Sequence, residues 1–257
     1  MASRNGLNPK IRGVKGVGFN RALPAPFGFG NGIVAKNSSV RVPGLERGWQ
    51  YTSDCSFEFW TRCNAGNGSG LFFIWAYIQK TPNPVVSVNY NVNGPLGMGS
   101  TDGSYQTAGG LHNYDGSRQH IVYSANGDGK YRVYYNGTYQ STLPGQLNSF
   151  VPDVFNLFSS GTAANSPYDE VRFYDKPLSP EEVFLNYNGG IGANPSVTEH
   201  LLFWYQFEKF EVLDFSALQD GSDIRLGIRD MSNKNNHGLP INMDTNPASP
   251  TYSLQPF

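Results

Sequence analysis

Charged residues and cysteine are both scarce in this chain. Charged residues make up 15% of the 257 positions, and cysteine occurs only at Cys55 and Cys63. Both cysteines lie in the alternating, strand-like run CSFEFWTRC, in which their Cα atoms would be roughly 26 Å apart. A disulfide joins Cα atoms less than about 7 Å apart, so we exclude a bridge between them and expect free thiols on a buried face.

Long apolar runs are also missing. No stretch approaches the roughly 20 apolar residues of a membrane span. The N-terminal sequence MASRNGLNPKIRGVKGVGF lacks the apolar core of a signal peptide. We therefore expect a protein without a signal peptide that is made in a cytoplasm and has no membrane partner. The four histidines show no ligand spacing that would indicate a metal site.

Glycine, proline and aromatic residues are abundant instead. The chain has 30 glycines and 17 prolines, and 14% of its residues are aromatic. From about residue 33, short apolar runs such as SSVRVPGL and GLFFIWAYIQK are separated by turn formers, a spacing that predicts an all-β sandwich or barrel. Asn136-Gly137 predicts a tight hairpin, because both residues tolerate positive φ.

Five acids are concentrated in SPYDEVRFYDKPLSPEEVFLNY, where an active site would be one explanation. Strand alternation instead places Asp169 inward with Val171 and Phe173, and Glu170 outward in solvent. Asp169 is then predicted to be a buried hydrogen-bonding anchor. Asp175 falls in the turn that follows the strand.

The remaining two acids belong to a predicted helix start. Ser179 and Glu182 have the spacing of a capping box, and Leu178 and Val183 that of a hydrophobic staple. One short helix is therefore expected near 180–187. The spacing predicts a structural latch rather than a catalytic centre, and its members are Asp169, Ser179 and Glu182.

The N-terminal region is strongly basic. Residues 1–50 hold eight Lys and Arg residues and one acid, Glu46. Residues 1–32 also lack a helical or strand period, which predicts an extended basic arm. Such an arm would dock on an acidic surface or on another copy of the chain, or would remain solvated without a partner. The expected docking residues are Arg4, Lys10, Arg12, Lys15 and Arg21.

Three passages resemble the laminin-G-like, concanavalin A-like family of jelly-roll domains. NYDGSRQHIVYSANGDGKYRVYYNGTYQS is similar to the family's paired strands, and SDCSFEFWTRCN to one of its sheet strands. PYDEVRFYDKPLSPEEVFLNYNGG resembles its strand-helix signature. The resemblance covers about residues 33–190 and implies an all-β sandwich of two antiparallel sheets.

A fourth passage, LLFWYQFEKFE…IRDMSNKNNHGLPIN, resembles the strand that normally opens such a domain, yet it lies at the C-terminal side. Either the domain is circularly permuted, which we favour, or the passage opens a truncated second domain or exchanges a strand with another chain. The expected organisation is an arm at 1–32, a sandwich at 33–242 and an extended tail at 243–257. Within the sandwich we expect a main block at 33–190, a linker at 191–200 and the displaced strand at 201–242.

The family resemblance implies glycan binding through aromatic and amide or carboxylate side chains. The candidate glycan-binding residues are Tyr90, Tyr105, Tyr114, Tyr134 and Tyr139. No cofactor is required, but calcium at rim oxygens would be in keeping with the resemblance. The candidate calcium ligands are Asp102, Asp115, Asn126 and Asp128. The carboxylate pattern of the family's glucanases is absent, so a polysaccharide-cleaving enzyme is the less favoured alternative.

The passage NGGIGANP…LLFWYQFEKFE resembles laminin-G-like proteins encoded by tailed bacteriophages, including crAss-like phages. This resemblance implies a non-enzymatic structural protein on the virion surface, as a capsid decoration, auxiliary or head-fibre-associated protein that binds host or mucosal glycans. Its partners would be other virion proteins, contacted through the arm and tail, and a homo-oligomer stays open. We do not expect nucleic acid as a partner. A free lectin module is the alternative.

Overall fold

Antiparallel β-strands and one α-helix make up the fold of the residues that the structure describes. A computed structural model of the chain describes residues 28–35, 37–46, 50, 54–64, 74–77, 87–89, 96–99, 105–108, 115–128, 130–144, 154–158, 167–215 and 224–257. In chain order, the strands in these residues are β1 (Asn31–Ile33), β2 (Ser39–Arg41), β3 (Asp54–Asn64), β4 (Ile74–Tyr77), β5 (Ser87–Asn89), β6 (Leu96–Gly99), β7 (Tyr105–Ala108), β8 (Asp115–Asn126), β9 (Lys130–Tyr135), β10 (Thr138–Pro144), β11 (Val154–Leu157), β12 (Tyr168–Tyr174), β13 (Leu201–Tyr205), β14 (Glu211–Asp214), β15 (Ile224–Gly227), β16 (Leu239–Ile241) and β17 (Leu254–Pro256). Helix α1 spans Pro180–Tyr187, and short 3-10 turns lie at Pro43–Leu45 and Asn188–Gly190. None of the helices in these ranges is long and apolar enough to cross a membrane.

Two sheets form the layers of a sandwich. The main sheet has the order β10-β9-β8-β3-β12-β1-β17, with β13 also paired to β12, and the opposing sheet has the order β16-β2-β11-β4. The ring centroids of Phe155 in β11 and Phe173 in β12 lie 5.5 Å apart, which places the apolar core between the layers. The predicted all-β sandwich of antiparallel sheets is confirmed. Strands β5–β7 form a separate three-stranded sheet, and β14 and β15 a two-stranded one.

Strand β13 comes from the displaced passage and completes the main sheet of its own chain. It runs antiparallel to β12, with Phe203 opposite Phe173. The loop between β15 and β16, which belongs to the same passage, is held by Asp230. Its carboxylate accepts hydrogen bonds from the backbone N–H groups of Trp204 (3.0 Å), Ser232 (2.8 Å) and Asn236 (3.0 Å). The Asp-x-Ser pattern of this passage therefore holds the loop against β13. The domain boundaries and the permutation stay predictions.

The C-terminal residues return to the main sheet. Strand β17 pairs with β1 along its whole length, with Ile33 opposite Leu254. The side chain of Phe257 is buried. The last part of the predicted extended tail is therefore an intramolecular edge strand.

Helix α1 begins where the sequence predicts. The backbone N–H of Glu182 donates to Ser179 Oγ (3.2 Å), and the N–H of Ser179 donates to Glu182 Oε2 (2.8 Å). Leu178 and Val183 are both buried in one cluster against the main sheet. The capping box and the hydrophobic staple thus fix the direction in which α1 crosses the outer face of that sheet, the face turned away from the core.

A β-bulge in β12 changes which face its acids occupy. Asp169 lies opposite Trp60 of β3, but Arg172 lies opposite Glu58, so β12 carries one extra residue between these pairs. Glu170 adopts φ +51° at the bulge, an uncommon conformation for a residue other than glycine. Strict alternation therefore fails at this point. Asp169 shares the outer face with Trp60 rather than the core face with Val171, which corrects the sequence-based expectation.

A buried polar cluster lies on this outer face. Arg172 is fully buried and donates to Glu58 Oε1 (3.0 Å) and Glu170 Oε2 (2.7 Å). Glu170, expected in solvent, is 1% exposed. Glu58 also accepts hydrogen bonds from Tyr174 (2.9 Å) and Asn186 of α1 (2.8 Å). These five side chains, which we call the Arg172 cluster, connect β3, β12 and α1.

The charge state of the cluster follows from its contacts. Burial would raise the pKa of Glu58, but the charge of Arg172 and hydrogen bonding from His120 and Tyr174 outweigh it and lower that pKa to about 2. The Nε2 atom of His120 lies 2.9 Å from Glu58 Oε1. Glu58 is therefore ionised in the folded protein wherever the fold is stable. Its charge compensates that of Arg172.

Replacing Glu58 by glutamine should destabilise the fold at pH 7 by about 3–5 kcal/mol, because Arg172 would lose one of its buried counter-charges. The pKa of Glu58 is depressed in the folded state, so its contribution is complete above the unfolded pKa of about 4.5 and declines as the pH falls towards 2. Urea unfolding of both proteins should therefore show a gap that narrows between pH 5 and pH 3. Glu199→Gln, at an exposed position, is the control. An equal, small loss in both variants would contradict the proposed role of Glu58.

Candidate functional site

An open cleft of about 500 Å³ lies beside the edge of the main sheet. One wall is the end of β1, where the N–H of Val34 donates to the carbonyl of Ser253 (2.8 Å). The other wall is the segment that leads into β17. The residues lining the cleft are Val34, Asn242, Asp244, Pro250, Thr251, Tyr252, Ser253 and Gln255. Its volume is in the range of small-molecule sites, roughly 300–1,000 Å³.

The cleft combines one aromatic ring with several hydrogen-bonding groups. The Tyr252 ring is partly buried and meets Phe210 edge to face, with centroids 5.9 Å apart. Asn242 and Gln255 contribute amides, and Asp244 contributes a carboxylate. An aromatic face beside amide and carboxylate groups can bind a ring that has one apolar face and several hydroxyl groups.

Turns rich in Asp, Asn and Ser hold the cleft wall in place. The N–H of Asp244 donates to Ser253 Oγ (3.1 Å), and the N–H of Ser253 donates to the Asp244 carbonyl (3.0 Å). Thr251 Oγ1 donates to Asp244 Oδ2 (2.6 Å), and the N–H of Asn246 donates to Asp244 Oδ1 (3.1 Å). Asp244 is therefore oriented before any ligand arrives.

Tyr134 and Tyr139, the predicted glycan-binding tyrosines whose side chains are described, do not line this cleft. Tyr90 and Tyr114 lie outside the described residues, and Tyr105 lies in β7, where side chains are not described. Tyr134 is 1% exposed within the cluster that α1 covers. It cannot stack on a sugar, because strand alternation places it under the helix. Tyr139 is 50% exposed, with its hydroxyl 2.8 Å from Thr142 Oγ1.

The predicted calcium ligands Asp115 and Asn126 lie at opposite ends of one strand. Asp115 and Asn126 are the first and last residues of β8, roughly 36 Å apart at about 3.3 Å per residue. Asp115 Oδ1 accepts the N–H of Ser117 (2.9 Å), and Asp128 pairs with Arg132 (3.2 Å). Asp102 lies outside the described residues. Asp115 cannot share one calcium ion with Asn126 or Asp128, which corrects that expectation.

No other metal centre replaces this set in the part of the chain that the structure describes. Groups of three or more His, Cys, Asp or Glu side chains placed to hold an ion do not occur there. Cys55 is buried, and the side chain of Cys63 is not described. The docking residues of the arm, Arg4, Lys10, Arg12, Lys15 and Arg21, lie outside the described residues.

Asp169 is the acid that forms no ion pair in the Arg172 region. It is fully buried, its Oδ1 accepts the N–H of Glu170 (2.7 Å), and its Oδ2 has no hydrogen-bond partner. Burial and the neighbouring Glu170 carboxylate raise its pKa well above the ordinary range. Burial also raises the pKa of Glu170, although Arg172, Gln206 and Trp204 oppose this effect. Asp169 thus retains its proton to a higher pH than a solvent-exposed aspartate does.

Comparison with known families supports the fold described above. The sequence profile described as "Concanavalin A-like lectin/glucanases superfamily" (Laminin_G_3) matches residues 34–184, more than half of the chain. The chain belongs to the concanavalin A-like lectin/glucanases superfamily. No match was found among curated proteins.

Solved structures similar to this superfamily member have low sequence identity to it. A candidate carbohydrate-binding protein of Bacteroides ovatus has a TM-score of 0.59 and 13% identity, covering 84% of this chain and 59% of that one. Domain 4 of an extracellular arabinanase of Geobacillus stearothermophilus, bound to arabinotriose, has a TM-score of 0.42 and 18% identity, covering 59% and 73%. The binding domain of botulinum neurotoxin serotype G has a TM-score of 0.40 and 13% identity, covering 52% and 36%. The chain thus spans 59% of the length of the Bacteroides protein.

Sequence reasoning missed the residues of the cleft in this superfamily member. Asn242 falls at the end of the displaced passage, and Asp244, Tyr252 and Gln255 fall in the segment interpreted as an extended tail. Proline and short polar residues dominate there, so the hydrophobic period that identifies a strand is absent. The one local signal was the tyrosine within a run of turn-forming residues, and a single tyrosine among 15 is not specific.

Asp169→Asn should stabilise this superfamily member at pH 7 relative to the native protein, on the order of 1 kcal/mol. The pKa of Asp169 is raised in the folded state, so the unfolded chain releases its proton first, and the native protein loses stability as the pH rises above about 4. Asparagine removes this loss and keeps an acceptor for the Glu170 N–H. Unfolding by urea at pH 4 and pH 7 measures the effect, with Glu199→Gln as the control. A variant less stable than the native protein at pH 7 would rule out a protonated Asp169.

Proposed function

We propose that this chain is a non-enzymatic carbohydrate-binding module whose glycan ligand occupies the cleft at the edge of the main sheet. The observation that carries the proposal is the side-chain set of the cleft. The exposed part of the Tyr252 ring offers a stacking surface, and Asn242, Asp244 and Gln255 offer hydrogen-bonding groups around it. Sugars have this combination of an apolar ring face and a polar rim.

The superfamily and its structural relatives are in keeping with this proposal. The superfamily contains lectins as well as glucanases. The Bacteroides protein with a TM-score of 0.59 is a candidate carbohydrate-binding protein. At 13% identity this likeness establishes a common fold, so the ligand assignment depends on the cleft.

The acids of the described residues favour binding over hydrolysis. A retaining glycosidase needs two carboxyl groups about 5–5.5 Å apart at the surface of a cleft. Glu58 and Glu170, which both contact Arg172, are buried beneath α1 and Trp204. The cleft itself is lined by a single acid, Asp244. This arrangement supports a module that binds its glycan without cleaving it.

Tyr252→Ala should reduce glycan affinity about five- to thirtyfold, because it removes the stacking surface and so costs about 1–2 kcal/mol. Asn242→Gly should also weaken binding while tolerating the positive φ of 56° at that position. Binding is measured first on a panel of immobilised oligosaccharides and then by calorimetry with a soluble member that binds. Tyr139→Ala is the matched control, since Tyr139 is half exposed and does not line the cleft.

Three results would overturn the proposal in different ways. A panel that retains none of the native protein would refute carbohydrate binding. Binding that Tyr139→Ala weakens and Tyr252→Ala leaves intact would place the glycan elsewhere. Release of new reducing ends from any bound polysaccharide would refute the non-enzymatic assignment. Circular dichroism of each variant distinguishes a lost contact from a lost fold.

We further propose that the module is carried on a virion surface through its basic arm. The support is the charge distribution of the sequence, in which residues 1–50 contain eight basic residues and one acid. Arg41, one of the eight, forms an ion pair with Glu46. The five basic residues between Arg4 and Arg21 precede the described sandwich and would supply the positive charge for docking on an acidic virion protein.

Deletion of residues 1–27 should release the protein from purified virions, because the deletion removes the basic arm and leaves β1, which begins at Asn31, intact. Co-sedimentation with particles in a density gradient measures the association. Tyr252→Ala, which alters the cleft and not the arm, should stay particle-bound. Unchanged incorporation of the truncated protein would exclude the arm as the attachment element, and absence of the native protein from virions would exclude the virion role.

A further inference from the structure

The cleft has a charge pattern that restricts the class of glycan it can take. Of the eight residues that line it, Asp244 is the only one whose side chain is charged at neutral pH, and none is Lys, Arg or His. The remaining polar groups are neutral amides and hydroxyls. A sulfate or carboxylate on a sugar would find no cationic partner among these side chains.

Hydrogen bonds fix the carboxylate of Asp244 at the cleft wall. Thr251 Oγ1 donates to its Oδ2 (2.6 Å), and the N–H of Asn246 donates to its Oδ1 (3.1 Å). Hydrogen bonds from Ser249 and Thr251 lower the pKa of Asp244, so the carboxylate is ionised at neutral pH. Three donors, from Ser249, Thr251 and Asn246, use three of its roughly four acceptor positions, so the carboxylate retains capacity for a further donor.

Two amides that line the same cleft, those of Asn242 and Gln255, complete the pattern. Gln255 is tied to the wall by a hydrogen bond to the Tyr252 carbonyl, and Asn242 is exposed in a left-handed conformation. Amides both donate and accept, and a carboxylate accepts only. Hydroxyl groups of a neutral sugar can satisfy both kinds of group at once, whereas an anionic substituent would face Asp244 across a short distance.

We infer that the cleft selects neutral glycans and rejects sugars that carry a carboxylate or sulfate. This inference rests on the proposed carbohydrate-binding function and adds the class of ligand. Two unit charges about 4 Å apart near a protein surface repel strongly enough to weaken binding at least about fivefold. Salt reduces this repulsion, because exposed charges are screened at high ionic strength.

The test compares a neutral oligosaccharide that binds with the same oligosaccharide carrying one sulfate. Calorimetry in 50 mM salt should show the neutral form binding at least about fivefold more tightly, and the ratio should shrink in 1 M salt. Asp244→Asn should bring the two affinities closer together. Asp128→Asn, which removes an exposed acid outside the cleft, should leave the ratio unchanged.

The possible failures are distinguishable. Equal or tighter binding of the sulfated form, still lost in Tyr252→Ala, would overturn the charge selection while the glycan-binding proposal stands. A ratio that Asp244→Asn does not change would show that steric exclusion, and not this carboxylate, causes the preference. Absence of binding to either form, and to every other sugar of the panel, would refute the proposed function itself.

Discussion

The Arg172 guanidinium is the group on which the outer face of the main sheet depends. It is buried without solvent and contacts Glu58 on the neighbouring strand and Glu170 at the bulge of its own strand. Its Cζ atom also lies 5.2 Å from the centroid of the Trp204 ring of β13. A buried cation is costly unless it is paired on several sides, so the positions of β3, β12 and β13 are coupled through one side chain. The helix α1 joins this arrangement because Asn186 bonds to Glu58.

Local sequence signals predicted the elements whose cause is local. The Ser179 and Glu182 spacing sufficed to place α1, because a capping box and a staple involve neighbouring residues only. The spacing of short apolar runs likewise predicted an all-β sandwich or barrel, and the family resemblance implied its two antiparallel sheets. The burial of Glu170 could not be predicted in this way. It results from the bulge in β12, which is set by pairing with β3, a strand more than 100 residues earlier in the chain.

The candidate site shows the same limit. From its strand alone, Tyr134 would be expected on an open sheet face. Helix α1 covers that face, and this packing depends on residues far along the chain. Tyr252 and Asp244 lie in a segment without hydrophobic periodicity, and they become a cleft wall only because β17 pairs with β1. The family resemblance identified the fold correctly, but the position of the cleft depends on the pairing of β1 with β17.

Because β1 and β17 border the cleft, the cleft is complete only when these two strands are paired. Residues from the two strands are separated by more than 200 positions in the chain, so joining them carries one of the largest loop-closure entropies in the sandwich. A chain in which this edge has opened retains the Arg172 cluster and most of the core but loses one wall of the cleft. Any ligand held there binds only the closed edge and therefore stabilises it by mass action. Occupancy of the site would then slow the local opening of the very strands that form it.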